Sequence, residues 1–102
     1  MIFIANEKKI VIWDLIGLTK VTEYTSQPDH DIRCIELTKN GDFIFVGTKS
    51  TIKTGALLIF DIKKNLNKPI EEREVNEDIR SLSLTSKYLF INSFNKFKRL
   101  DL

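Results

Sequence analysis

Asp29-His30-Asp31 is the one run in this chain where groups able to carry a proton or hold a cation stand side by side. A histidine between two carboxylates suits general acid–base work or metal binding. The rest of the sequence does not extend the cluster. His30 is the only histidine and Cys34 the only cysteine, so the ligand spacing of a zinc site is missing. The run reads as polar loop chemistry. Glu71, Glu72 and Glu74 crowd one short segment, IEEREV, with no cleft implied, and read as a solvated strand edge. Residues 47–55, GTKSTIKTG, carry Lys49 and Lys53 among hydroxyls. Such a loop could grip an acidic peptide or a phosphate; the competing reading is a solvated hairpin insertion, which lengthens at little cost. It is no phosphate-binding loop, because no Gly-Lys-Ser/Thr follows a strand and opens a helix. Phe94, beside Asn95, falls at a turn, either as an exposed anchor for a partner or packed onto its own hairpin. Cys34 sits in an apolar run and reads as a small packed residue, not a reactive thiol. No nucleophile–base pair, cofactor motif or metal-ligand set is recognisable. The expectation is a chain with no catalytic, cofactor or metal site.

Composition narrows the setting. The chain has 102 residues, 42% hydrophobic and 29% charged, which suits one globular domain. Sixteen basic and 14 acidic residues leave a formal charge of only +2, spread without a basic block. That is a poor footprint for nucleic acid, where many phosphates must be neutralised together. A lone cysteine excludes an internal disulfide and fits a reducing compartment. No apolar run approaches the roughly 18 residues of a membrane-crossing helix. The first residues, MIFIANEKK, lack the pattern of a secretion signal. The expected location is cytoplasmic, with the nucleus possible, and neither nucleic acid nor membrane is an expected partner.

The elements that must carry these residues repeat. IFIANEKKIVIWDL from Ile2 aligns without a gap to LFINSFNKFKRLDL from Leu89, and FIFVGTKSTIKTGALLIFDI from Phe43 is the same hairpin with a longer loop. DIRCIEL from Asp31 matches DIRSLSL from Asp78. Equivalent positions are about 40–47 residues apart, the period of four-stranded propeller blades. Short β-branched and aromatic runs separated by turn residues predict ten strands, at 1–5, 9–15, 20–25, 31–37, 42–47, 56–62, 70–75, 79–84, 87–92 and 96–102. Asn40-Gly41 predicts a tight hairpin turn, since both residues tolerate positive φ. Short connections make the neighbours antiparallel. Apolar residues at Ile32, Ile35 and Leu37, and at Ile79, Leu82 and Leu84, break strict alternation and imply a small irregularity or burial on both faces.

Trp13-Asp14, Phe60-Asp61 and Leu100-Asp101 close equivalent strands, and with the Asn40-Gly41 turn and the repeat spacing they resemble the WD-repeat β-propeller family across essentially the whole chain. The resemblance implies an all-β fold of antiparallel four-stranded meander blades forming part of a β-propeller. Named from the axis outward, the strands read b-c-d over 1–25, a complete a-b-c-d blade over 31–75, and a-b-c over 79–102. That family often buries a hydrogen-bonded tetrad of Trp, Ser or Thr, His and Asp. Here Val46 and Ile91 stand where strand b would supply the hydroxyl, His30 lies too close to strand a, and Asn95 is the nearest substitute for the Asp. The expectation is therefore apolar packing anchored by Trp13, with the aspartates serving turn geometry.

The resemblance implies a non-enzymatic protein-interaction scaffold, a subunit of a larger complex. It would bind other proteins through loops at 26–31, 47–55, 76–78 and 93–96, with the remaining blades of a propeller or a completing subunit beside it. Two alternatives come with the family. A ubiquitin-ligase substrate receptor is weakened because Trp13-Asp14 and Phe60-Asp61 are not followed by x-Arg. A phosphoinositide-binding propeller would use a paired-arginine motif that Phe97-Lys98-Arg99-Leu100 only echoes.

Overall fold

The computed structural model describes residues 2–14, 16–39, 41–50, 55–64, 68–75, 78–93 and 97–101, without the side chains of residues 2–4 and 14. Asn40, Lys53, Phe94 and Asn95 lie outside the described residues. Ten strands are present and, among the described residues, no helix: β1 (Ile2–Ala5), β2 (Lys9–Asp14), β3 (Thr19–Thr25), β4 (His30–Leu37), β5 (Phe43–Ser50), β6 (Ala56–Asp61), β7 (Glu71–Glu74), β8 (Ile79–Leu84), β9 (Tyr88–Ser93) and β10 (Phe97–Asp101). They form three antiparallel sheets, β1-β2-β3, β4-β5-β6-β7 and β10-β9-β8. Each is a meander, because its connections are too short for anything but return to the neighbouring edge.

The middle sheet is apolar on both faces, and the register explains why. Ile44 pairs with Phe60, Phe45 with Ile59, and Val46 with Leu58. Ile44, Val46, Ala56, Leu58 and Phe60 point one way and pack with Ile32 against Ile10 and Ile12 of the first sheet. Phe45 and Leu57 point the other way and pack against Ile79, Leu82, Leu89 and Ile91 of the third. Continuous hydrophobic runs are what a sheet sandwiched between two others requires. Gly47 sets how closely the third sheet approaches: a Cβ there would come within 2.5 Å of Ile79 Cγ2 and 2.7 Å of Cys34 Sγ.

The repeated DIR motif has a structural counterpart. Register shifts fall between Ile32 and Cys34 in β4 and between Ile79 and Ser81 in β8, so Arg33 and Arg80 are extra residues in their ladders. Both are exposed. A bulge turns one side chain out and returns the following residues to the buried face. That accounts for the broken alternation. The turns that follow are also related. The Thr38 hydroxyl accepts the N–H groups of Asp42 (3.1 Å) and Phe43 (3.0 Å), and the Thr85 hydroxyl accepts that of Tyr88 (3.0 Å). Gly41 carries the positive φ of its turn, 78°.

Trp13 is half-buried and lies outside both apolar clusters. The anchoring expected of it falls to Phe60, 2% exposed, whose ring meets Tyr24 edge-on at 4.8 Å. The reason is position. Trp13 alternates with Ile10 and Ile12 and so faces away from the middle sheet, whereas Phe60 lies between two sheets.

Candidate functional site

One end of the stack gathers the β1–β2 turn, the β3–β4 connection, the end of β5 and the start of β6. Asn6 builds the first turn, its side-chain oxygen accepting the N–H groups of Lys8 (2.9 Å) and Lys9 (2.8 Å). This projects Lys8 across to the next sheet. Its ammonium donates to the carbonyls of Pro28 (3.1 Å) and His30 (3.0 Å) and pairs with Asp31. Backbone bonds run alongside, from Ser26 N to Lys8 O (2.7 Å) and from Ile32 N to Glu7 O (2.7 Å). The Lys8 ammonium bonded to Asp31 is the main reason that carboxyl titrates below the ordinary aspartate value.

His30 opens β4 and faces inward. Its Nδ1 lies 3.1 Å from Thr48 Oγ1. The Thr48 hydroxyl donates to Ala56 O (3.2 Å) and accepts from Ala56 N (2.9 Å). The hydroxyl and the imidazole nitrogen thus share one hydrogen bond between β4 and β5. Nε2 is left toward Asp29, whose carboxylate is 3.7 Å away. The hydroxyl that the sequence assigned to no residue of strand b therefore comes from Thr48, two residues beyond Val46 on the same face. The sheets are held at this end by a polar tie as well as by apolar packing. Ser26 Oγ adds a bond to His30 O (2.9 Å), and Ser50 N donates to Asp78 Oδ1 (3.0 Å). Gly55 is required beside them, since a side chain there would run into the Thr48 carbonyl.

Beside this tie lies a small cleft of about 20 Å³, room for about one water, lined by Tyr24, Gln27, His30, Thr48 and Glu72. Burial, with Glu72 adding to it, raises the Tyr24 phenol above its ordinary pKa. Thr48 is 1% exposed and its oxygen is spent on the backbone. The Asp29–His30–Thr48 series thus fixes a loop instead of presenting a nucleophile. Among the described residues no group of three His, Cys, Asp or Glu side chains could hold a metal ion. What this end offers chemically is hydrogen bonding and charge on a preformed surface.

The remaining sequence-derived residues fall as follows. Lys49 is exposed but belongs to β5, opposite Asp31, so residues 47–50 of the expected 47–55 loop are strand, and residues 51–54 lie outside the described residues. Asp61 ends β6 and accepts the Lys63 N–H at 3.0 Å, a local turn of the kind aspartate favours. Asp14 ends β2 opposite Thr19. Leu100 packs on the second cluster, and Asp101 lies 3.5 Å from Arg99. The segment Phe97-Lys98-Arg99-Leu100 is strand β10, with the Arg99 guanidinium laid over the Tyr88 ring at 4.5 Å. Burial pushes the Cys34 thiol up to about 11. Residues missed from the sequence are Lys8, Thr48 and Asp78. Their only signal was a lysine, a threonine and an aspartate near strand ends, which is common in any β protein.

No family model matches the chain, and no curated protein matches it. Among solved structures it is similar to Kluyveromyces lactis Hsv2 with a complete loop 6CD, a β-propeller protein, at a TM-score of 0.65 and 17% identity. The match covers 98% of this chain and 28% of that one. The chain thus spans less than a third of the length of that protein. The fold is all-β, with antiparallel sheets stacked as part of a β-propeller.

Proposed function

We propose that this chain is a propeller-type scaffold for protein–protein interaction, of the WD-repeat kind, acting without catalysis as a subunit of a larger intracellular complex, in the cytoplasm or the nucleus. The observation that carries the reading is the polar end of the stack. Lys8 reaches from the first sheet to Asp31 and His30 of the middle one, and Thr48 ties the strands of that middle sheet, so that a partner meets a surface already in place and pays little to order it. Lys49 and the cleft edge at Gln27 and Glu72 supply charge and hydrogen-bonding groups on that surface. Proteins are the partners that fit. The net charge of +2 gives no field for nucleic acid or an anionic membrane.

The test is affinity purification of the full chain from cells under mild cross-linking, with Lys49→Glu at the polar end and Lys64→Glu at the opposite end. A discrete set of proteins retained by the wild type and Lys64→Glu, and lost with Lys49→Glu, supports the reading. Equal recovery with both variants removes the polar end as the contact. Recovery of nothing by any of the three removes the scaffold.

A further inference from the structure

Among the described residues six large apolar side chains stand exposed: Ile16, Leu18, Val21, Leu37, Ile70 and Phe97. Val21 and Phe97 belong to the outer sheets, in β3 and β10. The other four lie at the end of the stack opposite the polar one, because β2, β4 and β6 all run toward it. Ile16 and Leu18 are the most exposed, at 98% and 76%, and they sit two residues apart on the β2–β3 turn. That turn is firmly held. The ladder closes on it through Trp13 opposite Lys20 and Asp14 opposite Thr19.

Leu18 is also the one non-glycine residue among those described with a positive φ, 52°. A short hairpin connection often needs one left-handed residue, and glycine or asparagine usually takes the place. Leucine there brings its Cβ too close to the following carbonyl oxygen. Packing does not offset that strain, since neither Leu18 nor Ile16 joins an apolar cluster. Strain kept at an exposed apolar tip is characteristic of a functional position. From Ile16 to Thr19 the tip carries no charge, and of its flanking residues Asp14 ends β2 and Lys20 is paired with Glu23 at 3.7 Å. The tip itself therefore has nothing to select an anionic surface. An apolar pocket is what two protruding aliphatic side chains fit. Lys64 and Lys68 are exposed on the neighbouring β6–β7 connection, beside Ile70, so the test below separates a protein from a lipid surface.

We infer that Ile16 and Leu18 form an apolar anchor that seats in a pocket of a second protein. The inference rests on the scaffold reading and extends it: the polar end meets one partner, the tip holds another at the opposite end, and the chain bridges the two. Burial of both side chains supplies the driving force. Because the turn is already fixed, little order is lost on binding.

Leu18→Asn and the double variant Ile16→Asn with Leu18→Asn test it, beside Lys49→Glu, all in the full chain. Asparagine tolerates the left-handed turn, so Leu18→Asn raises the folded-to-unfolded ratio about threefold or more in urea unfolding. A Leu18→Asn chain less stable than the wild type means that Leu18 serves the fold, and overturns the inference. Photoreactive p-benzoylphenylalanine in place of Ile16 then tags, in cells, the protein that the tip touches. That protein, made recombinantly, binds the wild type and Lys49→Glu alike in titration calorimetry, and the double variant at least about thirtyfold more weakly. Equal binding by the double variant, or the absence of any tagged protein, overturns the inference. So does sedimentation of the wild type, and not of the double variant, with phosphatidylcholine–phosphatidylserine vesicles, which would assign the tip to a lipid surface. Any of these failures with the Lys49-dependent partners still retained would leave the scaffold reading standing.

Discussion

Thr48→Val is the substitution that tests most directly how the polar end is built. Valine matches threonine in shape, so packing is conserved and only the hydroxyl is lost. That hydroxyl accepts from Ala56 N at 2.9 Å, reaches Ala56 O at 3.2 Å and shares a hydrogen bond with His30 Nδ1 at 3.1 Å. Thr48 is 1% exposed and Ala56 9%, so water cannot replace what is removed. A stranded buried donor costs about 1–3 kcal/mol, and the Ala56 N–H is such a donor. The half-buried His30 ring borders the cleft and can find water, so its share is small. The expected loss is about 2 kcal/mol, or roughly a thirtyfold fall in the folded-to-unfolded ratio. Thr48→Ser keeps the hydroxyl and loses one methyl, about 1 kcal/mol. Urea unfolding followed by circular dichroism reads both. The valine variant should have the lower midpoint at unchanged slope. A valine variant as stable as the wild type, or more stable than the serine variant, would refute the hydrogen-bond reasoning and leave apolar packing alone in charge.

Phe60→Ala should cost about 3–5 kcal/mol, because it empties a site closed by two sheets, while Trp13→Ala costs less in the monomer despite the larger side chain; urea midpoints of the two variants check the order. Cys34, its thiol pushed up to about 11, should react with a thiol reagent at pH 8 at least about a hundredfold more slowly than a free cysteine of pKa about 8.5. The rate should rise tenfold per pH unit below 11 and jump to the free value in denaturing urea, as a colorimetric thiol assay would read.

Much of the architecture followed from sequence pattern. All ten strands lie where the apolar runs and turn residues put them, because a sheet buried on both faces demands unbroken runs such as FIFV and ALLIF. The DIR irregularity was visible as broken alternation, and the structure identified it as a bulge at Arg33 and Arg80. The strand ends were less visible. β5 runs on through Ser50 because Thr48, Lys49 and Ser50 pair with Ile32, Asp31 and His30, partners set by the neighbouring strand and not by their own polar composition.

The site was the least readable part. His30 was visible as the only histidine, but its partner was not, since one threonine among many becomes special only when the β4–β5 register sets it beside the ring. Trp13 shows the converse. Its size and its Trp-Asp context promised an anchor, yet its place in the alternation of β2 turns it to the outer face, and Phe60 fills the anchoring role. Local periodicity and repeat spacing, which act within a few residues, are written in the chain itself. Which side chains meet across 18 or 22 residues depends on strand register, as where His30 meets Thr48, and on how the sheets stack, as where Lys8 meets the His30 carbonyl, and only the tertiary structure decides both.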